Sequence, residues 1–400
     1  MDRIVVACLY LALAAYAIVL SIREPYHNWD ALGYVAAAKA LETDDIGAVH
    51  TFTFDELRRA LPADVYEDMA REKHLGTGPG AAYRRAVSSD VSIFAEQLQY
   101  YQIRVLYVAL VYVFYKLGVD IEFATHFVSG LAVAASLILL WRLSARRLRR
   151  PFNYCLPLLA ALCGILQLAR LSTPDGLALF VLVIVAYALA EARLAMLCAA
   201  SLAAVLVRTD LVLFTLPLLA LLAILHKDSR WLLLSAMAGS VAIYAAVNAH
   251  YHHAAWSTIV YFATIARWQR PISDPPPLSL QQYVEVLGAG TAGLLTDPMF
   301  LAYLAATAVS IALLWIAARS QSWRCVLRQP QALLVAACLS DALVSFLALP
   351  ALWDRLFVRL YVVSAFALLW LFSDWLRARR PTRAPALPSS ALEMPHMNRP

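Results

Sequence analysis

Apolar residues fall along this chain in long blocks separated by short polar stretches. The blocks at 4–22, 121–142, 153–169, 175–190, 193–207, 210–226, 231–249, 299–318, 331–349 and 356–375 each read as one helix. About twenty apolar residues in helical form cross the roughly 30 Å hydrocarbon core of a bilayer. A transmembrane barrel would instead show ten-residue segments of alternating character. The pattern predicts an all-α polytopic transmembrane bundle of about 10–11 helices, with 101–117, "YQIRVLYVALVYVFYKL", as one further apolar block.

Composition agrees. The chain has 400 residues, 62% hydrophobic and 15% charged, with a mean hydropathy of +0.65. A soluble fold carries nearer 25% charge. The net charge of +6 does not point to nucleic acid, because the arginines sit in short turns between apolar blocks. "RLSARRLRR" at 142–150 holds five of them, and "HKDSR" at 226–230, "ARSQSWRCVLR" at 318–328 and "RARR" at 377–380 are also basic. The positive-inside bias places these turns in the cytoplasm. The six cysteines, at 8, 155, 163, 198, 325 and 338, have no metal-ligand spacing and imply no disulfide framework.

This orientation puts the long segments 23–100 and 250–298 outside, as loops of a single membrane domain over 1–380 with a disordered cytoplasmic tail over 381–400. Residues 23–99 hold 8 Lys/Arg against 13 Asp/Glu, which suits a translocated loop. Its pieces "DALGYVAAAKAL", "FDELRRAL" and "YEDMAREKH", broken by "GTGPG" at 76–80, predict juxtamembrane helices on the outer leaflet. "DPPP" at 274–277 reads as a stiff extended stretch. If 101–117 crossed fully, the five-arginine turn would fall outside. A re-entrant or interfacial helix is therefore expected there, with a full span as the alternative.

Charges within or beside spans are costly and face cavities. With this orientation they gather at the outer helix ends. Asp30, in "YHNWDALGYVA", follows the first span, and Glu96 and Arg104 flank the 101–117 block. Arg170 and Asp175 lie in "ARLSTPDGLALF", Arg208 and Asp210 in "VRTDLVLF", and Asp354, Arg355 and Arg359 in "WDRLFVRLYVV". Together they outline a polar rim around one cavity. Each has a plainer reading. Asp30 suits the first turn of a helix capped by Asn28. Asp175 suits a helix start with Ser172 or Thr173 as cap and Pro174 first. Arg208 and Asp210 suit a tight turn, and Arg355 and Arg359, one turn apart, suit snorkelling to headgroup phosphates. In "HYHH", His250 and His253 share a helix face, as a metal site or as interfacial histidines.

The order of features resembles the GT-C superfamily of integral-membrane glycosyltransferases, in the style of the protein O-mannosyltransferases and the bacterial aminoarabinose and arabinosyl transferases. The resemblance covers roughly residues 1–225. It rests on the early outer-loop acid, the Arg-x-x-x-Pro-Asp-Gly turn at 170–176, "FYKLGVDIEFATHFVSGLAV" and "YALAEARLAMLCAASLAAVLVRTDLVLFTLPLLAL". Where the family carries prolines, this chain reads "QLQYYQIRVLYV". The resemblance implies a multi-pass enzyme of the bacterial inner membrane with its site facing outward. It would move a sugar from a polyprenyl-phosphate donor to a lipid, glycan or protein acceptor. Asp30 matches the family's early catalytic or metal-binding acid, and Asp175 the acid of the second outer turn.

The chemistry then suits Asp30 as the general base of an inverting transfer, its pKa tuned by a low-dielectric cavity. Arg104, Arg355 and Arg359 would hold the leaving phosphate. Arg170, Tyr26 and Glu96 complete the candidate substrate-binding set. The sequence leaves metal dependence open: a divalent cation bridging Asp30 and Asp175 would be well served by their oxygens. A transporter or lipid flippase is the rival expectation. It predicts polar residues near the bilayer midplane, where the chain has mostly Leu, Ala, Val and Ile, with Asp341 in "CLSDALVSF" as the main exception.

Overall fold

The computed structural model describes residues 2–71, 79–265, 277–320, 322–351 and 354–379. The 381–400 tail and most of "GTGPG" and "DPPP" lie outside the described residues. Those described form an all-α bundle, with no strand among them. One buried apolar core runs from Val6 to Leu371.

The first span is α1 (Asp2–Arg23), and five short helices follow: α2 (Trp29–Lys39), α3 (Ile46–Ala60), α4 (Ala63–Arg71), α5 (Pro79–Ser89) and α6 (Val91–Gln102). They form because polar caps start them and their apolar faces have somewhere to go. Asp45 and Asp90 accept from the N–H groups of Ala48 (3.1 Å) and Ser92 (2.8 Å). Along α3, Val49, Thr53, Phe54 and Leu57 share the buried face.

Next come α7 (Val105–Lys116) and α8 (Ile121–Arg147). At twelve residues α7 is about 18 Å long, short of the hydrocarbon thickness. Lys116 pairs with Glu42, whose carboxyl is held below its usual range by the hydrogen bonds from Lys116 and Lys39. By contrast, α8 at 27 residues is about 40 Å long and largely enclosed.

The expected single helix over 153–169 is two, α9 (Arg150–Leu162) and α10 (Ile165–Arg170). The chain bends at Gly164, whose φ of 90° lies in the left-handed region and cannot continue a helix. There follow α11 (Asp175–Ala190), α12 (Leu194–Val207), α13 (Val212–Leu225), α14 (Arg230–His250) and α15 (Trp256–Val260). The last five are α16 (Leu280–Leu294), α17 (Pro298–Ser320), α18 (Trp323–Leu327), α19 (Pro330–Ala348) and α20 (Asp354–Ala378). Trp256 Nε1 and Tyr283 Oη donate to the Ala348 and Leu347 carbonyls, each at 2.5 Å, supplying partners that the end of α19 lacks.

Six of these helices, α1, α8, α14, α17, α19 and α20, are long and apolar enough to cross a membrane. Trp231, Leu232, Leu301 and Ile311 on α14 and α17 turn outward. Such surface is stable against lipid rather than water. The six fit a multi-pass integral membrane protein, and five shorter apolar helices fill in between them.

Two ends of the bundle are chemically distinct. At one, Arg146 and Arg147 at the end of α8 meet Glu191 after α11, and Arg377 donates to the Arg147 carbonyl. At the other end lie the starts of α8, α11 and α20, the turn before α13, and α2.

Candidate functional site

At that second end, seven ionisable side chains form one alternating row: Asp30, Arg355, Asp175, Arg208, Asp210, Arg359, Asp341. Asp30, in the first turn of α2, accepts from Arg355 Nη1 through Oδ2, and also from Asn28 Nδ2 (3.2 Å) and Tyr101 Oη (3.3 Å). Arg355 Nε lies 3.8 Å from Asp175 Oδ2. Asp175 opens α11 and accepts from Arg208 Nη1 and from Thr173 Oγ1 (2.8 Å). Arg208 clasps Asp210 with Nε (2.9 Å) and Nη2 (3.1 Å), the two-pronged match of guanidinium to carboxylate. Arg359 Nη2 donates to the same carboxylate (3.1 Å) and lies 3.5 Å from Asp341 Oδ2.

Exposure is uneven along the row: Arg355 and Asp210 keep about a third of their side-chain surface, whereas Asp175, Arg208 and Arg359 keep 8% or less. The Asp30 side chain keeps a fifth of its surface exposed, whereas Asp341 keeps none. Asp341 sits mid-way along α19, where Ser345 Oγ donates to it (2.7 Å). Arg359 is almost fully buried, and its Nε and Nη1 have no hydrogen-bond acceptor. Arg104 donates to the Tyr100 carbonyl while its Nε is likewise unmatched. Its charge acts on Tyr34, Asp210 and His253. Unmatched buried donors are costly in a resting protein and ready for an incoming acceptor.

Packing fixes the Asp30 side. Tyr101 lies flat over Gly33, where an added Cβ would fall 2.3 Å from the ring. That close approach lets the Tyr101 hydroxyl reach Asp30. Tyr34 packs edge-on against both Tyr101 and Tyr107. Burial raises the Tyr34 and Tyr101 hydroxyl pKa values well above the usual phenol range, so they remain proton donors.

Several expectations are corrected. Asn28 makes no capping bond to α2; its amide accepts from Ser172 Oγ (2.7 Å) and donates to Asp30. Ser172 and Thr173 do not cap α11, and Asp175 is an arginine partner buried in the network. Arg359 does not snorkel, being enclosed by Asp210 and Asp341. The "HYHH" face does not form: α14 ends at His250, His252 takes a left-handed φ of 49°, and His253 turns away to pack on Tyr100.

The other sequence candidates hold the frame. Tyr26 contributes its backbone, donating to the Arg170 carbonyl (2.9 Å), while its side chain is exposed. Arg170 Nε donates to the Glu24 carbonyl (2.7 Å), fastening the segment before Asp30. Glu96 lies on α6, where its charge acts on Tyr83 and Tyr100. The Asp354 side chain lies outside the described residues.

The sequence reading missed a second cluster. His27, Glu122 and His126 bring their ligand atoms within 4.8 Å of one another. Glu122 and His126 are one helix turn apart at the start of α8, a signal present in "IEFATH". Asp30 and Asp175, the sequence candidates for a metal, have the guanidinium of Arg355 between them. No protein family, no curated protein and no solved structure matches the chain.

Proposed function

We propose that the chain is a membrane glycosyltransferase of GT-C type. It would take a sugar from a polyprenyl phosphate and transfer it to a lipid, glycan or protein acceptor at the non-cytoplasmic face. The observation that carries this reading is the row itself: a partly exposed carboxylate at one end, and behind it the buried guanidinium of Arg359 with two unmatched donors. A phosphate held by a prenyl chain in lipid would approach from the side of the bilayer, and a polar acceptor from water.

In the resting protein Asp30 is neutralised by Arg355. A donor phosphate competing for Arg355 and filling the unmatched donors of Arg359 and Arg104 would release the carboxylate. Asp30 takes the acceptor hydroxyl proton as the acceptor oxygen bonds to the anomeric carbon. The bond from that carbon to the phosphate oxygen breaks, and polyprenyl phosphate leaves with the electron pair. Base and leaving group on opposite faces of the sugar give inversion. Asp175 orients Arg355 and Arg208. The basic end of the bundle would then face the cytoplasm, in keeping with the positive-inside bias, and the proposal puts the chain in a bacterial inner membrane.

Asp30→Asn tests this. Transfer from a polyprenyl-phosphate sugar in membranes should fall by about 10²-fold or more with folding retained; an equally active variant would end the role. One observation favours the rival transporter reading: Asp341 is an ionisable group buried mid-helix, where such groups mark transport pathways. Lipid translocation lost in Asp341→Asn, with no sugar transfer in the wild type, would favour that alternative.

A further inference from the structure

We infer that His27, Glu122 and His126 form a binding site for a divalent transition metal of the zinc class, separate from the Asp–Arg row. The argument begins with a proton. His126 Nδ1 lies 2.9 Å from the Arg170 carbonyl, which can only accept, so Nδ1 carries the hydrogen. In the neutral ring Nε2 then presents a lone pair. It faces Glu122 Oε1 at 3.0 Å, itself an acceptor. His27 Nδ1 faces that same oxygen, also at 3.0 Å. Two imidazole nitrogens and a carboxylate thus converge on one point, in a place almost without solvent: Glu122 and His126 are buried and His27 half-buried.

A cation at the point of convergence resolves the opposed lone pairs. Two imidazoles and one carboxylate are a common ligand set for zinc, at about 2.0–2.2 Å from each donor atom. Around such an ion the donor atoms stand about 3.3–3.6 Å apart, so each nitrogen moves slightly away from the shared oxygen, now at 3.0 Å, to admit it. The bond from His126 Nδ1–H to a backbone carbonyl is the outer support that metal-bound histidines ordinarily have, fixing the tautomer and the ring plane. Nitrogen ligands exclude magnesium and calcium as the preferred ions.

The position gives the ion a task. His27 belongs to the segment between α1 and α2, which leads directly to Asp30. Glu122 and His126 belong to α8, and the Arg170 carbonyl to the end of α10, where it also accepts from the Tyr26 N–H. A metal here staples the Asp30-bearing segment to two helices.

The test uses the full chain, purified in detergent with any affinity tag removed. After exposure to Zn²⁺ and removal of the excess, metal content is measured by mass spectrometry. Co²⁺ serves as a spectroscopic probe of nitrogen ligation. About one tightly held equivalent is expected, with chelation lowering the thermal transition and speeding amide exchange over residues 24–30. His27→Gln, at the most exposed of the three positions, should weaken metal affinity by at least about tenfold. His250→Gln should leave it unchanged. Wild-type protein that retains no metal, or metal retained equally by His27→Gln and Glu122→Gln, would overturn the proposal and leave a proton-held His–Glu–His triad. Loss of metal in His250→Gln alone would overturn it as well.

Discussion

At one end of the bundle Arg146 pairs with Glu191 at 2.7 Å, with 54% of its side chain in solvent. At the other, Arg208 pairs with Asp175, with 8% and 2% exposed. The residue types are the same and the physics is not. An exposed pair gains little over two hydrated ions, about 0–1 kcal/mol. A buried pair has lost that hydration, so each partner depends on the other, and removing one leaves a stranded charge. The basic end works by the sum of its charges, as a topology signal does. The acidic end, with the Asp30–Asp341 row, depends on the placement of each one. Arg359, which keeps two donors unmatched, is the extreme case of the second kind.

The sharpest way to break this comparison is Arg208→Ala. Asp210 would keep only Arg359, and Asp175 only Thr173 and the more distant Arg355. The expected loss is about 3–5 kcal/mol, read as a large fall in the thermal transition of the purified protein. A loss under about 1 kcal/mol would mean that the row is hydrated and not a buried network.

Next in size is Gly33→Ala, which asks whether packing as well as charge holds the site end. A methyl group 2.3 Å from the Tyr101 ring must displace it. That ring is buried and packed against Tyr34, so the cost should be about 1–3 kcal/mol. The hydroxyl would move off Asp30, and under the proposed function sugar transfer should fall with stability. In a Tyr101→Ala background the same substitution should cost much less.

How much of this was legible beforehand depends on what a linear pattern can carry. The bundle was, because apolar blocks of membrane length have few other solutions. Asp30, Asp175, Arg355 and Arg359 were, as charges at helix ends. Their pairing was not: Arg355 and Asp30 are 325 positions apart, and no spacing rule relates them. Local rules were misleading at Asp175, where a good helix-start sequence hid an arginine partner 33 residues on. The break at Gly164 lies inside an unbroken apolar run, since hydropathy does not register a backbone angle. Glu122 and His126 carried a helical spacing, but His27 joins them only through the tertiary fold.

A smaller effect concerns pH at the site end. Burial, reinforced by the charge of Arg104, pulls His253 down to about 4 from its usual value near 6.5. Its ring packs on Tyr100 and its Nδ1 has no hydrogen-bond partner. The depressed value means that the unfolded chain takes up the proton first. The neutral ring's contribution is therefore full above about pH 6.5 and is lost as pH falls towards 4. For a half-buried ring this amounts to about 1–2 kcal/mol. Thermal transitions measured between pH 7 and 4 should show the slope in the wild type and a shallower one in His253→Gln; equal slopes would remove His253 as the cause.

The smallest expected effect belongs to the basic end, and it completes the comparison. In Arg146→Ala, Glu191 keeps a second partner, Arg147 Nη2 at 3.2 Å. No buried group is stranded, because the Arg146 side chain is mostly in solvent. Screening by salt already weakens such a pair at physiological ionic strength. The change in stability should stay under about 1 kcal/mol and shrink further in high salt. Four arginines of the 142–150 turn remain, so the sidedness of the chain should hold as well. Thermal transitions at low and high salt, with cysteine labelling for sidedness, check both points. If Arg146→Ala cost as much as Arg208→Ala, burial would not be what separates the two ends, and the case for the acidic end as a built site would lose its physical basis.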